Sequence, residues 1–212
     1  MYDLKRNISG HSPDTVSFIY KTADIFRSWG FEVEILHSDR DFLSCFNRRV
    51  SQSASQEHRG RPHGFMLSKG MCDVKRDCKL RPINQWKKAH ASDDIIQYIG
   101  IAKDEPKRFG DLIDGKIESL LCRYGLTEAD AKDLCERYDL LSPQYELNEG
   151  KQKRDGCWFC VNARMCEFAK LKKENPDLWQ EFVALEDVPN LVYPKWGLYK
   201  NAKTLREIDK LI

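Results

Sequence analysis

The sequence lacks a long apolar run, and Met1 is followed by YDLKRNISG rather than by a charged and then apolar leader. A membrane-spanning helix needs about 20 predominantly apolar residues, and a secretion signal needs an apolar stretch of its own. We therefore expect neither a signal peptide nor a membrane span, and we expect a cytoplasmic location. The 212 residues are enough for one sizeable α/β domain, or for one domain with a small appendage.

The sequence also lacks a strong overall excess of one charge, since its formal net charge is +2. The charge is nevertheless unevenly distributed. Residues 48–88 contain eleven Lys and Arg against three acidic residues, a local balance of +8. Such a basic segment favours a polyanionic partner, which would be a nucleotide or a nucleic acid such as DNA or tRNA. An ordinary solvated surface loop is the alternative.

Disulfides are not expected, although the chain has eight cysteines. A reducing compartment disfavours them, and a chain of this length does not need such cross-links. Metal, cluster or redox chemistry is therefore favoured for some of the thiols. Three of them share the stretch KRDGCWFCVNARMCEF, where Cys157, Cys160 and Cys166 form a C-x2-C-x5-C pattern.

This spacing suits a metal site, because thiolates are soft ligands and a C-x2-C loop lets two sulfurs reach one metal ion or cluster. The fourth ligand would be Cys72 or Cys78 in MCDVKRDCKLRP. Zinc and a [4Fe-4S] cluster both accept such a set. A thioredoxin-like redox pair at Cys157 and Cys160 is one alternative, and reduced cysteines without a shared role are another. The remaining cysteines are predicted to be small buried apolar residues: Cys45, Cys122 and Cys135.

Alternating helix and strand signals predict an α/β fold with a mainly parallel sheet. A first helix is predicted from Pro13, capped by Ser12 and ending at Gly30. FEVEIL, at 31–36, alternates like a strand, and IIQYIGI, from Ile95, is typical of a strand that a parallel sheet buries on both faces. Five later helices are predicted: PINQWKKAH from Pro82, TEADAKDLCERY with a capping box of Thr127 and Asp130, 162–173, LWQEFVALE after Asn175-Pro176, and TLREIDKLI.

Two polar regions are candidate ligand sites. The stretch 48–70 is rich in Ser, Gly and Arg and predicts a mobile loop that orders on a ligand. YIGIAKDEPKR, at 98–108, follows a predicted strand with charged residues at the sheet edge where open α/β folds bind ligands. Lys107 and Arg108 are suited to hold phosphate or sulfate oxygens. A charged turn after a strand is the alternative.

Four segments, in this order and with these gaps, resemble the phosphoadenosine phosphosulfate (PAPS) reductase family: YIGIAKDEPKR, SLLCRYGLTEADA, YDLLSPQYE and GCWFCVNAR. The resemblance covers roughly residues 8–185. It is strongest to a divergent bacterial and phage branch, which also resembles the DNA-phosphorothioation (DndC-like) sulfurtransferases.

The resemblance implies an adenine-nucleotide α-hydrolase-like, Rossmann-like fold with a parallel sheet flanked by helices. Residues 1–125 would form a partial nucleotide-binding α/β domain with the basic loop, and residues 126–212 a helical C-terminal part with the cysteine motif. An adenine nucleotide, ATP or PAPS, would bind at the strand ends, and Cys157, Cys160 and Cys166 would be cluster ligands. The implied nucleotide-binding residues are Lys79, Arg81, Asp104, Glu105, Lys107 and Arg108, with Cys78 beside the phosphates.

The sequence departs from this family at its start, because the first strand and the SGGKDS-type phosphate loop have no counterpart. ISGHSPDT, at 8–15, is similar instead to the segment after the family's second strand. We therefore expect an N-terminally truncated fold, a partner chain that supplies the loop, or a loss of nucleotide chemistry.

The expected function is sulfonucleotide reduction or cluster-dependent sulfur transfer. The sequence after Cys166 offers no counterpart of the reductases' C-terminal nucleophilic cysteine, which favours sulfur transfer. The alternative is a non-catalytic nucleic-acid-binding module in which zinc on the same cysteines stabilises the fold.

Overall fold

A computed structural model describes residues 13–51, 55–65, 72–109, 116–146, 156–196 and 203–212. Its contacts divide the chain into two compact units. The first unit contains Met1–Trp86 and Gly156–Ile212, and the second contains Lys87–Asp155. These bounds differ from the division into 1–125 and 126–212 that the sequence resemblance implies, because Gly156–Ile212, with the cysteine motif, joins the N-terminal region and Lys87–Asp155 forms a unit of its own.

Helix predominates among the described residues, and strand is limited to one two-stranded parallel sheet. Its strands are β1 (Gln97–Tyr98) and β2 (Ile117–Glu118). The expected mixed α/β class is confirmed at this coarse level. No described helix has both the length and the apolar composition to cross a membrane.

The described residues of the first unit form five α-helices, most of a sixth, α3, and a π-helical segment, Lys75–Leu80, which leads directly into α3. Its core is aromatic: Trp179, Trp196 and Phe168 are almost completely buried, and Phe168 meets Trp196 edge-on with ring centroids 4.8 Å apart. Large rings of this kind bury much apolar area each. The helices are α1 (Pro13–Ser28), α2 (Phe42–Phe46), α3 (Arg81–Ala89), α8 (Met165–Glu174), α9 (Pro176–Ala184) and α10 (Leu205–Asp209).

The described residues of the second unit form four helices and the small sheet. Ser119 links the segment after β1 to the start of α5: its hydroxyl donates to Ile101 O at 2.5 Å and accepts from Cys122 N at 3.2 Å, which caps α5. The Cys122 thiol donates to the same Ile101 carbonyl at 3.3 Å. The helices are α4 (Pro106–Phe109), α5 (Leu120–Arg123), α6 (Glu128–Arg137) and α7 (Pro143–Glu146).

Helix predictions that rested on capping residues are confirmed. The Thr127 hydroxyl accepts from Asp130 N at 3.2 Å, and Asp130 accepts from Thr127 N at 2.9 Å, so both halves of the predicted capping box form. The helix after Asn175 begins at Pro176, and α1 begins at Pro13. Ser12, predicted as the cap of α1, lies outside the described residues.

Both strand predictions need correction. Residues 31–36 are not a strand, and among the described residues no strand pairs with them. Alternation of apolar residues favours an extended backbone, but a strand also requires a neighbour to complete its hydrogen-bond ladder. The run from Ile95 yields only Gln97–Tyr98, and Tyr98 is 52% exposed, so this strand is not buried on both faces. A two-stranded sheet has only edge strands.

The described part of the loop predicted at 48–70 is hydrogen-bonded along its length. Val50 N donates to Arg61 O at 3.0 Å, and His63 N donates to Arg48 O at 2.8 Å. Gly64 adopts φ +90°, and a Cβ atom there would lie 2.4 Å from Tyr193 O. Only a glycine therefore allows this loop to approach Tyr193 so closely. Residues 52–54 and 66–70 lie outside the described residues.

Candidate thiol site

The motif GCWFC forms a turn whose two aromatic residues enter the core. Cys160 N donates to Cys157 O at 3.0 Å, which closes the turn. Trp158 and Phe159 are buried, and Phe159 stacks on Phe42 with centroids 3.9 Å apart and an interplanar angle of 15°. Trp196 fixes the backbone by donating its indole N–H to Phe159 O at 3.2 Å. The rings thus anchor the turn and leave the two flanking thiols at the edge of the core.

The second cysteine segment lies on the π-helical turn Lys75–Leu80. Cys78 is buried within this turn, and Cys72 precedes it and packs against the core. The carbonyl of Cys72 accepts a hydrogen bond from Arg76 N at 2.9 Å. π-Helical turns are rare overall, but those that occur are often found at functional sites. The location of Cys78 in such a turn is therefore a separate structural indication of a functional role.

Charges in each cysteine segment affect the pKa of a cysteine in the other. Burial raises the pKa of Cys157, and negative charge on Cys160 or Cys72 would raise it further. Lys79 opposes these effects, because its ammonium group lies close to the Cys157 sulfur and hydrogen-bonds to it. A negative charge on Cys157 in turn acts to raise the pKa of Cys78. Cys157 is therefore close enough to Cys72, Cys78 and Cys160 for their charges to affect one another.

A fifth cysteine, Cys45, joins this group. Its sulfur lies 3.9 Å from that of Cys78, and both residues are buried. The sequence prediction that Cys45 is a small buried residue is correct on burial, but it missed this contact. The spacing of Phe42, Cys45 and Phe46 on one helical face predicts burial against the core, yet no sequence signal identifies Cys78 as the neighbour. We call Cys45, Cys72, Cys78, Cys157 and Cys160 the thiol site.

The other cysteines have different surroundings. Cys166, a predicted ligand, is exposed in the first turn of α8. Cys122 and Cys135 lie in the second unit, where burial raises the pKa of Cys135. The structure thus assigns Cys72, Cys78, Cys157 and Cys160 of the predicted ligands to the thiol site, whereas Cys166 faces solvent.

The thiol site fits a soft metal by its donor chemistry. Four or more thiols in one place match the ligands that zinc and iron–sulfur clusters prefer. In the part of the chain that the structure describes, no three Cys, His, Asp or Glu side chains are arranged as ready-made metal ligands. Binding would therefore require the thiol side chains to turn towards a common point.

An ion-pair network borders the thiol site and includes two arginines of the basic segment, Arg48 and Arg76. Asp73 pairs with Arg48 at 2.6 Å and with Arg76 at 2.7 Å. Arg76 also binds Asp77 at 2.7 Å, and Arg40 binds Asp77 at 3.0 Å. Hydrogen bonds from Arg76 lower the pKa of Asp77 below its usual value. Three of the arginine side chains near this site are therefore engaged by buried carboxylates.

Two further arginines of the basic segment bind backbone carbonyls. Arg49 donates to Gly60 O at 2.6 Å, and Arg61 donates to Asn190 O at 3.0 Å and Leu191 O at 2.8 Å. The Arg61 contacts hold the loop to the C-terminal part of the first unit, whereas Arg49 bonds within the loop and is exposed.

The predicted nucleotide-binding residues divide between the two units. In the first unit, Lys79 contacts Cys157, and Arg81 lies 3.3 Å from Asp39 in an ion pair. In the second, Asp104 accepts a hydrogen bond from Glu128 N at 3.0 Å at the start of α6. The remaining three follow in or beside α4: Glu105 and Arg108, which pair at 2.6 Å, and the exposed Lys107.

Comparison with known proteins gives no match to a family model, a curated protein or a solved structure.

Proposed function

We propose that the chain is a PAPS reductase-family protein that acts in sulfonucleotide reduction or cluster-dependent sulfur transfer, with a [4Fe-4S] cluster at the thiol site. One observation carries this proposal. Two cysteine segments that are far apart in the sequence meet at one core, because Cys78 is buried in it and Cys72 and Cys157 pack against it.

Four thiolates of these segments would hold the cluster, which supplies one-electron transfer when bound. The residues around them have separate tasks. Lys79 donates to Cys157 and favours its thiolate form, as partners of ligands generally tune a metal site. Trp158 and Phe159 hold the backbone of the turn by packing into the core, and they exclude water from one side of the site.

The proposal includes an adenine-nucleotide α-hydrolase-like fold and a site for ATP or PAPS. Lys107 and Arg108 are its best-placed cations, since they begin the exposed helix α4 and Arg108 remains 63% exposed while paired with Glu105. A partner chain would supply the phosphate loop. Calorimetry with adenosine phosphosulfate, PAPS and ATP should show weak binding that tightens when a segment carrying the loop is added. An absence of binding in both cases would remove the nucleotide part of the proposal.

The cluster is tested by anaerobic purification followed by metal, sulfide and absorbance analysis. We expect brown protein that contains iron and acid-labile sulfide. Cys157→Ala and Cys160→Ala should lose them, while Cys122→Ala, whose thiol hydrogen-bonds in the second unit, should retain them. Colourless protein with one bound zinc would contradict the cluster and favour the second candidate below.

The second candidate is a non-catalytic nucleic-acid-binding module with a structural zinc ion. It is favoured by the burial of Trp158 and Phe159, because a metal on the flanking cysteines would then fix the core directly. It requires binding to DNA or tRNA that weakens with salt, by a slope of about −0.9 for each phosphate contact on duplex DNA. A zinc-containing protein without such binding would exclude it.

A further inference from the structure

We propose that Cys45 and Cys78 form a redox-sensitive pair, which hydrogen peroxide converts into a reversible intramolecular disulfide. The two cysteines are 33 residues apart in the sequence, so the disulfide links α2 to the π-helical turn. The inference goes beyond the proposed function and does not rest on it, because the reaction needs no metal. It assigns a modification site to Cys45, which lies outside every predicted ligand set.

The two sulfur atoms are already close to each other. They lie 3.9 Å apart, and both cysteines are buried. A disulfide has an S–S bond of about 2.05 Å, so the sulfurs must approach by about 1.9 Å. Each sulfur is bonded directly to Cβ, and rotation of both side chains therefore shortens this distance.

Contacts beside the two cysteines hold their backbone segments together. Arg40, which lies before α2, pairs with Asp77 at 3.0 Å. The Ser38 hydroxyl donates to Asp77 O, also at 3.0 Å. Because Asp77 immediately precedes Cys78, these two contacts tie the segment that enters α2 to the π-helical turn.

The short helix α2 sets the position of Cys45. Asp41 accepts from Ser44 N at 2.7 Å, and the Ser44 hydroxyl accepts from Asp41 N at 2.8 Å, which closes a capping box at the first turn. Phe42 and Phe46 are buried in the aromatic core on either side of Cys45 in the sequence. The sulfur contact is therefore fixed by packing and hydrogen bonds, whichever thiol carries the shared proton.

The reaction has two steps, and atoms and electrons balance in each. In the first step, the sulfur of one thiol bonds to an oxygen of the peroxide, the O–O bond breaks, and a sulfenic acid and water form, with the thiol proton in the water. In the second step, the neighbouring thiol attacks the sulfenic sulfur, the S–O bond breaks, and the S–S bond forms with release of a second water. Two electrons pass from the sulfurs to the peroxide. Either cysteine can react first, because the product is the same.

The location of the pair favours this product. Cys78 is close to the partly exposed Cys157, so the pair lies near the edge of the core, where a molecule as small as hydrogen peroxide can enter. A sulfenic acid with a thiol beside it condenses to a disulfide. The disulfide would prevent Cys78 from binding any metal at the thiol site, and it would restrict the unfolded chain.

The test treats the full-length protein with hydrogen peroxide, both as purified and after treatment with a chelator. The remaining thiols are alkylated, the protein is digested with trypsin, and linked peptides are identified by mass spectrometry. Trypsin isolates each cysteine of the pair, because Cys45 lies in peptide 41–48 and Cys78 in peptide 77–79. We expect these peptides to be linked in at least one preparation, with a loss of two alkylated thiols that dithiothreitol reverses.

Two variants and a stability measurement accompany the mapping. Cys45→Ser should abolish the link to peptide 77–79. Cys122→Ser is the matched control, because it removes a thiol that hydrogen-bonds at 3.3 Å in the second unit, and it should retain the link. Oxidised wild type should unfold at a higher urea concentration than reduced wild type, and Cys45→Ser should show no such shift.

The exposed Cys166 shows whether the oxidant has acted. If Cys166 is oxidised while peptides 41–48 and 77–79 stay alkylated in both preparations, the inference is overturned. A link from peptide 77–79 to the peptide of Cys157 in place of 41–48 would also overturn it. A wild type that binds no metal contradicts the proposed function alone. The mapping of wild type decides the question even if Cys45→Ser does not fold.

Discussion

The anchoring of the cysteine turn by Phe159 gives the most direct test of the structure. Phe159→Ala removes a buried ring that stacks on Phe42 at 3.9 Å and meets Trp158 edge-on at 4.9 Å. Burial of a Phe in a well-packed core is worth about 3–5 kcal/mol on truncation to Ala, and an aromatic pair adds about 0.5–1.5 kcal/mol beyond its area. We expect a loss of about 4 kcal/mol in the free energy of unfolding of the metal-free protein.

The assay is urea unfolding followed by tryptophan fluorescence, with the metal removed so that ligand binding does not contribute. A loss of this size is a large fraction of the 5–15 kcal/mol that is typical of folded domains, and it could unfold the variant. Phe159→Leu is therefore measured as well, because it should lower the free energy of unfolding by less. Tyr124→Ala is the control, because Tyr124 is 72% exposed and its loss should change stability by less than about 0.5 kcal/mol. A change below about 1.5 kcal/mol in Phe159→Ala would refute the anchoring role.

Three further predictions concern the loop that follows α2. Burial lowers the folded-state pKa of His63 below 6.5, so the unfolded chain binds more protons than the folded chain. Stability should therefore fall as the pH drops from 6.5 towards the folded-state pKa. In pH-dependent thermal unfolding, His63→Gln should flatten this slope, and an unchanged slope would contradict the role of His63. Gly64→Ala should cost at least about 2 kcal/mol in urea unfolding, because its φ is +90° and the new Cβ would meet Tyr193 O at 2.4 Å; a neutral change would contradict that close approach. Arg61→Gln should lower the free energy of unfolding by about 1–3 kcal/mol through the loss of its carbonyl contacts. If the substitution instead leaves this free energy unchanged and weakens DNA binding in a salt titration, Arg61 contacts a nucleic acid rather than the C-terminal segment.

Local sequence signals predicted the helices well. Capping residues and N-terminal prolines act within one turn of chain, so Thr127 with Asp130 and Pro176 mark the helix starts that form. The strands were harder to predict from the sequence. FEVEIL has the alternation of a strand, but pairing depends on a distant segment that the pattern does not contain.

The candidate site was predictable only in part. The C-x2-C spacing identified Cys157 and Cys160, and the segment with Cys72 and Cys78 was identified as their complement. Cys45 was missed because its neighbour, Cys78, is set by the packing of α2 rather than by spacing in sequence. The contacts of single arginines could not be predicted either, since a charge count does not reveal that Arg48 and Arg76 are paired with the buried Asp73.

The π-helical turn at Lys75–Leu80 makes the thiol site sensitive to the length of the chain. A π turn holds roughly one residue more than an α turn, and each residue of an α-helix advances the direction of its side chain by about 100°. Deleting one residue, such as Lys75, would allow an ordinary α-helix, but it would rotate the part before the turn against the part after it. Cys72 and Cys78 would then point in different directions relative to the core. A one-residue deletion here should therefore separate the two thiols without removing either.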